Sequence, residues 1–143
     1  MEPNRSLRDL FAHARRPRCY VASPMGFSET TRRYYEEEYL PTLSRYVITL
    51  DPWSLTSREE VSQAETRGDL RASFVTIAQR NSEAISGSEL LIAQLDGQEV
   101  DSGTAAEIGY AVGLGKVALG VRSDLRQAGE PEMVVNLQIE GLI

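Results

Sequence analysis

The chain has one cysteine, Cys19, and one histidine, His13, in 143 residues. A single thiol forms no intrachain disulfide and no Cys-rich metal site. A lone imidazole near the N-terminus is a thin basis for a His-based zinc centre or a Ser-His-Asp triad, and both are set aside. Cys19 stands in an apolar, strand-like run, where a small buried residue is a plainer reading than a nucleophile. No apolar run approaches the roughly 20 residues of a membrane span. The N-terminus holds Arg and Leu but lacks the apolar core of a secretory signal. These absences read as a cytoplasmic protein with no membrane partner. Basic charge is also short. Fifteen Lys and Arg face 21 Asp and Glu, for a net charge of −6. A phosphate-backbone binder carries a basic surface, so nucleic acid is not the expected partner.

What is present fits one globular unit. Apolar residues make up 41% and charged residues 25% of the chain, which is ordinary for a domain of this size with a real core. Residues 1–17 form a polar, Arg-rich extension ending at Pro17, with Leu7, Leu10 and Phe11 as the apolar side of any short helix there. Residues 18–143 form the domain. Strands are expected at 19–23, 46–50, 89–95 and 117–121, with a last short strand or turn at 134–139. A helix begins at Ser28, with Tyr35, Tyr39 and Leu43 on one face. A second spans 70–85, where Leu70, Phe74, Ile77, Ala78 and Ile85 repeat at helical spacing. A third covers 105–114. Residues 54–67 read as a short helix and loop. Strands alternate with helices, which predicts an α/β fold: a parallel sheet flanked by helices on both faces.

The most informative stretch is 101–110. Asp101 and a Gly-Thr turn run into a helix, and Glu107 follows six positions after Asp101. The strand-like run 90–95 feeds this loop. Two carboxylates and a helix N-terminus thus stand at the carboxyl end of a strand, where open α/β sheets bind ligands. Paired carboxylates there suit acid–base or nucleophilic work at an acetal-like carbon. The blander alternative is a structural strand–turn–helix, with Asp101 as a cap and Glu107 on a solvated face. Against it, Glu107 leads into Ile108-Gly-Tyr-Ala-Val-Gly113, a small-residue face expected to pack tightly.

The string Asp101-Ser-Gly-Thr-Ala-Ala-Glu107-Ile-Gly-Tyr-Ala resembles the signature loop and helix of the nucleoside 2-deoxyribosyltransferase family. Three further pieces agree in order. Tyr20-Val-Ala-Ser-Pro-Met-Gly-Phe27 resembles that family's first strand and base-binding loop. Lys116-Val-Ala-Leu-Gly-Val-Arg-Ser-Asp124 resembles the strand after the catalytic helix. Val135-Asn136-Leu-Gln resembles its Asn-Leu segment. The resemblance implies a Rossmann- or flavodoxin-like single domain that needs no cofactor and no metal. It implies that Glu107 is the nucleophile, Asp101 the acid–base group at the base, and Tyr20 the hydroxyl that orients Glu107. Phe27 would stack on the base, and Asn136 would reach the sugar of a neighbouring subunit, in a homo-oligomer (dimer or hexamer) with shared sites. Ser102 and Gly103 would offer donors at the helix N-terminus. Asp96, in Leu-Asp-Gly, is a candidate for holding the base or sugar, and equally an ordinary turn residue. Many relatives have Asp at the start of the third strand. Here Ser88-Glu89 stands there, so either Glu89 serves instead or the base is read differently. The implied ligands are a deoxynucleoside and a free nucleobase. The rival functions are an N-glycosidase acting on a nucleoside 5′-monophosphate and a nucleotide-sensing module without catalysis. The loop after the first strand has no Arg before Arg32, so a phosphate cradle looks incomplete.

Overall fold

Four short apolar runs of the chain become the four strands of one parallel sheet. The computed structural model describes residues 15–143. The helix expected around Leu7, Leu10 and Phe11, and His13 with it, lie outside the described residues. β1 (Arg18–Ala22), β2 (Ile48–Leu50), β3 (Leu90–Gln94) and β4 (Val117–Val121) lie in the order β2-β1-β3-β4. Tyr20 pairs with Leu50 on one side and Leu91 on the other, and Leu91 with Ala118.

Because side chains alternate along a strand, each run feeds two layers. Tyr20, Ala22, Leu91, Ala93, Leu95 and Ala118 face one way. They meet Ile85 of α5 (Leu70–Ser86) and Ile108 and Ala111 of α6 (Ser102–Gly113). On the other side, Cys19 and Ile92 pack with Val47 and Leu43, and Val21 packs with Tyr35 and Tyr39. This second layer is one helical stretch: α1 (Glu29–Tyr34), a π-helical turn (Tyr35–Tyr39) and α2 (Leu40–Leu43). Pro41 has no N–H for the carbonyl of Glu37, and the helix widens beside it. The parallel sheet with helices on both faces is the expected architecture. Cys19 is fully buried, and burial pushes its thiol up to about 11.

Four local expectations need correction. Residues 54–67 hold more helix than the polar sequence implied: the end of α3 (Pro52–Leu55) and all of α4 (Arg58–Arg67). A reciprocal cap starts α4, with Ser57 Oγ accepting from the Glu60 N–H and the Glu60 carboxylate accepting from the Ser57 N–H. Gly68, at φ 74°, ends it.

The α5 stripe is only half used. Ile85 is buried, yet Phe74, three turns away on the same side, is 54% exposed. Helix α5 ends at the amino end of β3, so its start lies toward the carboxyl end. Seventeen residues of helix run about 25 Å and five of strand about 16 Å. The first half of α5 therefore overhangs the sheet.

The small-residue face of α6 is not packed tightly within the chain. Ile108 and Ala111 face the core, while Gly109 and Gly113 have nothing beyond their chain neighbours and the helix's own backbone within 4 Å of where a Cβ would stand. Finally, 134–139 is no strand. Glu140 accepts from the Val134 N–H at 2.8 Å, Asn136 caps the next turn, and α7 (Leu137–Glu140) forms.

Candidate active site

The chain winds from β1 outward to β2, then returns to β3 on the other side. The strand order reverses between β1 and β3, and at such a switch point open α/β sheets bind ligands in the crevice outside the carboxyl ends of the strands. The loop after β1 (Ser23–Phe27) and the loop from Asp96 to Asp101 are its lips.

Tyr20 and Glu107 meet inside. Tyr20 is fully buried in β1, and its hydroxyl donates to Glu107 Oε1 at 2.6 Å. Glu107 sits in the second turn of α6, half-buried, above Ile108. Burial is the main force on its carboxyl and raises it from 4.5 to about 7. The Tyr20 hydrogen bond works against that rise, and the charge of Asp101 adds to it. Burial, then Glu107 itself, holds the Tyr20 hydroxyl far above its ordinary range. The pair is a neutral donor fixed on a carboxylate at the edge of ionisation.

Asp101 caps α6. Its Oδ2 accepts from the Thr104 N–H at 2.9 Å and the Thr104 hydroxyl at 3.3 Å. That is the structural role its position offered, and it brings the second carboxylate close enough to act on Glu107. Ser102 and Gly103 are exposed in the first turn of the same helix, where backbone N–H groups and the helix dipole favour negative charge.

Other candidates fare differently. Asp96 is engaged by the loop after β4: it accepts from the Ser123 N–H at 2.6 Å, the Ser123 hydroxyl at 2.5 Å and the Asp124 N–H at 2.9 Å. Burial opposes its ionisation, but these bonds prevail and hold it below its ordinary value. Its carboxylate shapes the crevice rim. Glu89 is at the wrong end of the sheet to read a base. It precedes β3, pairs with Arg15 and accepts from the Arg18 N–H at 3.1 Å. A strand length of about 16 Å separates it from the crevice. Asn136 caps α7 with its own Oδ1, accepting from the Gln138 N–H at 3.0 Å. Phe27 is 74% exposed and stands edge-on to Trp53, with ring centroids 4.5 Å apart.

Two residues escaped the sequence reading. Asp51 is a buried carboxylate that accepts from the Tyr35 hydroxyl at 2.6 Å and caps α3. Asp before Pro at a strand's end was the available signal. Asn81 lies on the core side of α5, one turn from Ile85, and its Oδ1 is buried with no partner among the described residues. Its signal was a polar residue inside an apolar stripe. An open groove between α4 and α5 contains neither carboxylate of the crevice, and its cations are matched: Arg80 by Glu60 and Arg67 by Asp69. Among the described residues, no three His, Cys, Asp or Glu side chains gather as a metal site. Nor is any helix long and apolar enough to cross a membrane.

Comparison with known families decides the lineage. A sequence model of the nucleoside 2-deoxyribosyltransferase family matches residues 19–140. The chain belongs to the nucleoside 2-deoxyribosyltransferase family. The match spans the four strands from Cys19 onward, both lips of the crevice and the Tyr20–Glu107 pair. Solved structures share the fold. A 2-desoxiribosyltransferase from Leishmania mexicana is 24% identical with a TM-score of 0.63, over 86% of this chain and 85% of that one. A conserved protein from Enterococcus faecalis V583 is 25% identical with a TM-score of 0.58, over 90% and 86%. A 2-deoxyribosyltransferase from Bacillus psychrosaccharolyticus is 20% identical with a TM-score of 0.60, over 88% and 82%. A search of curated proteins returned no match.

Proposed function

We propose that this member of the family is a transferase that moves a 2-deoxyribosyl group between nucleobases through a covalent ester on Glu107. The observation that carries this reading is the 2.6 Å bond from the buried Tyr20 hydroxyl to Glu107 at the mouth of the crevice. It leaves Oε2 of the carboxylate to attack. In the first step Oε2 bonds to C1′ as the C1′–N bond breaks. The electron pair leaves with the base, and Asp101 passes it a proton. In the second step a new base attacks C1′ from the vacated side, the ester bond breaks, and Asp101 takes the proton back. Two inversions give net retention. A 2-deoxy sugar suits this route, because no 2′-hydroxyl withdraws electrons from the oxocarbenium-like transition state.

The second reading is hydrolysis of a nucleoside 5′-monophosphate, supported by the exposed first turn of α6 at Ser102 and Gly103. Arg32, the first arginine after β1, weighs against it, because its guanidinium is bonded to the Gly26 carbonyl. We read the protein as a homo-oligomer in which Asn136 serves a neighbour's site. Support comes from apolar surface left bare on α5, on α6 and just past its end, at Phe74, Val75, Tyr110 and Leu114.

One incubation separates the readings: a deoxynucleoside, a different free base and the protein, followed by chromatography. A new deoxynucleoside supports transfer. Free base alone means hydrolysis, and no change means a binding module. A 2′-fluoro-arabinosyl nucleoside should leave a mass adduct on the peptide carrying Glu107, and an adduct elsewhere would refute its role.

A further inference from the structure

We propose that Trp53 is a positioning residue for the lip of the crevice: it braces the Ser23–Phe27 loop from behind and holds the Phe27 ring where a substrate base would lie. The inference rests on the reading that the crevice takes a nucleoside.

The loop has little to hold itself. It is one 3₁₀ turn (Pro24–Phe27), started by Ser23, whose Oγ accepts from the Met25 N–H at 3.2 Å. Isolated turns of this kind are marginal in water. Trp53 touches it at three points. The indole Nε1–H is directed to the Ser23 carbonyl at 3.4 Å. The ring lies against Gly26 so closely that a Cβ there would stand 2.3 Å from Cε2 and 2.5 Å from Cδ2. The indole and the Phe27 ring meet edge to face, at an interplanar angle of 84°. Position 26 is glycine because the indole occupies the space of a side chain.

The brace is itself fixed. Trp53 sits in α3, whose cap Asp51 accepts from the Trp53 N–H at 3.2 Å and from the Tyr35 hydroxyl. From the other side, α1 grips the loop. Thr31 Oγ1 donates to the Met25 carbonyl at 2.7 Å, and Arg32 Nε to the Gly26 carbonyl at 2.8 Å. The outcome is an exposed phenyl ring with a rigid backing. With the indole N–H turned to Ser23, the two rings of this corner offer a base aromatic surface and no hydrogen-bond donor of their own. It favours planar rings and leaves discrimination among bases to other groups.

Trp53 is the only tryptophan in the chain, so its fluorescence reports on this corner. Titrating a deoxynucleoside into the Glu107→Gln variant should change the emission without turnover, with binding followed in parallel by calorimetry. Trp53→Ala should raise KM about 10-fold, the worth of a weakened stacking contact, while kcat changes less than about 3-fold. Trp53→Phe should recover part of the loss. Phe27→Ala should match Trp53→Ala, and the double variant should be no worse than Phe27→Ala alone, because Trp53 acts through Phe27. Gly26→Ala should displace the indole and shift its emission even without ligand, which serves if Trp53→Ala fails to fold. Calorimetric binding with unchanged emission, a fall in kcat at constant KM, or multiplicative losses in the double variant would overturn the positioning role while leaving the nucleoside reading intact. No binding of any deoxynucleoside would overturn both.

Discussion

The Glu107 carboxyl makes a quantitative claim about stability. In the unfolded chain it ionises near 4.5, and in the folded chain near 7. Between those values the unfolded state gives up a proton that the folded state keeps. Wild-type stability is therefore fully present below about 4.5, falls as pH rises, and levels off above about 7. The shift corresponds to at most about 3 kcal/mol, and partial exposure of the carboxylate reduces it to about 2 kcal/mol. Glu107→Gln keeps the shape and still accepts from Tyr20, but has no charge to bury. It should melt with wild type at pH 4 and above it at pH 8.5. For a chain of this size, about 2 kcal/mol means roughly 4–8 °C. Thermal melts of both proteins across this range provide the assay. Titrating groups that do not interact with Glu107 are common to the pair and cancel. A melting difference that is the same at every pH would show that Glu107 does not ionise against burial, and the reasoning fails. Such a variant should be more stable and nearly inactive, the trade expected where a site is held at an energetic cost.

Three more expectations follow from the same geometry. The acid limb of kcat/KM should lie near 7, and Tyr20→Phe should move it to higher pH, since the lost hydrogen bond was the contribution holding the Glu107 value down; a downward move would refute the pair. Asp101→Ala should lose the α6 cap and about 1 kcal/mol in denaturant melts. Asp101→Asn should keep the cap but lose about 10²–10⁴-fold in turnover of natural nucleosides, and far less with a nitrophenyl deoxyriboside; equal losses on both substrates would leave Asp101 a cap alone. Glu107→Ala and Asn136→Ala should each be weak, and mixing them under subunit exchange should restore about one quarter of the sites, on two-fold symmetry. No recovery despite proven exchange would place Asn136 outside the neighbour's site.

The sequence by itself determined the architecture and the family. Runs such as 90–94 are apolar on both strand faces, and helical periods lie between the runs, so a covered parallel sheet is the arrangement that buries them, although at β4 only Ala118 is buried and Val117, Leu119 and Val121 stay exposed. The Asp101–Glu107 spacing and the Tyr20–Phe27 string were local patterns, legible without contacts. Contacts between distant segments decided the rest. Tyr20 and Glu107 are 87 positions apart and meet only because β1 and β3 are neighbours. Glu89 belonged to the right strand but to its amino end, and only the parallel register shows that this end faces away from the crevice. Asp96 could have faced a ligand or the Ser123 loop, and the loop took it. The α5 stripe misled because periodicity records which side of a helix is apolar, not how far the sheet beneath it extends. Gly26 gave no local sign of its constraint, because that constraint is the Trp53 ring, which a different helix carries into place.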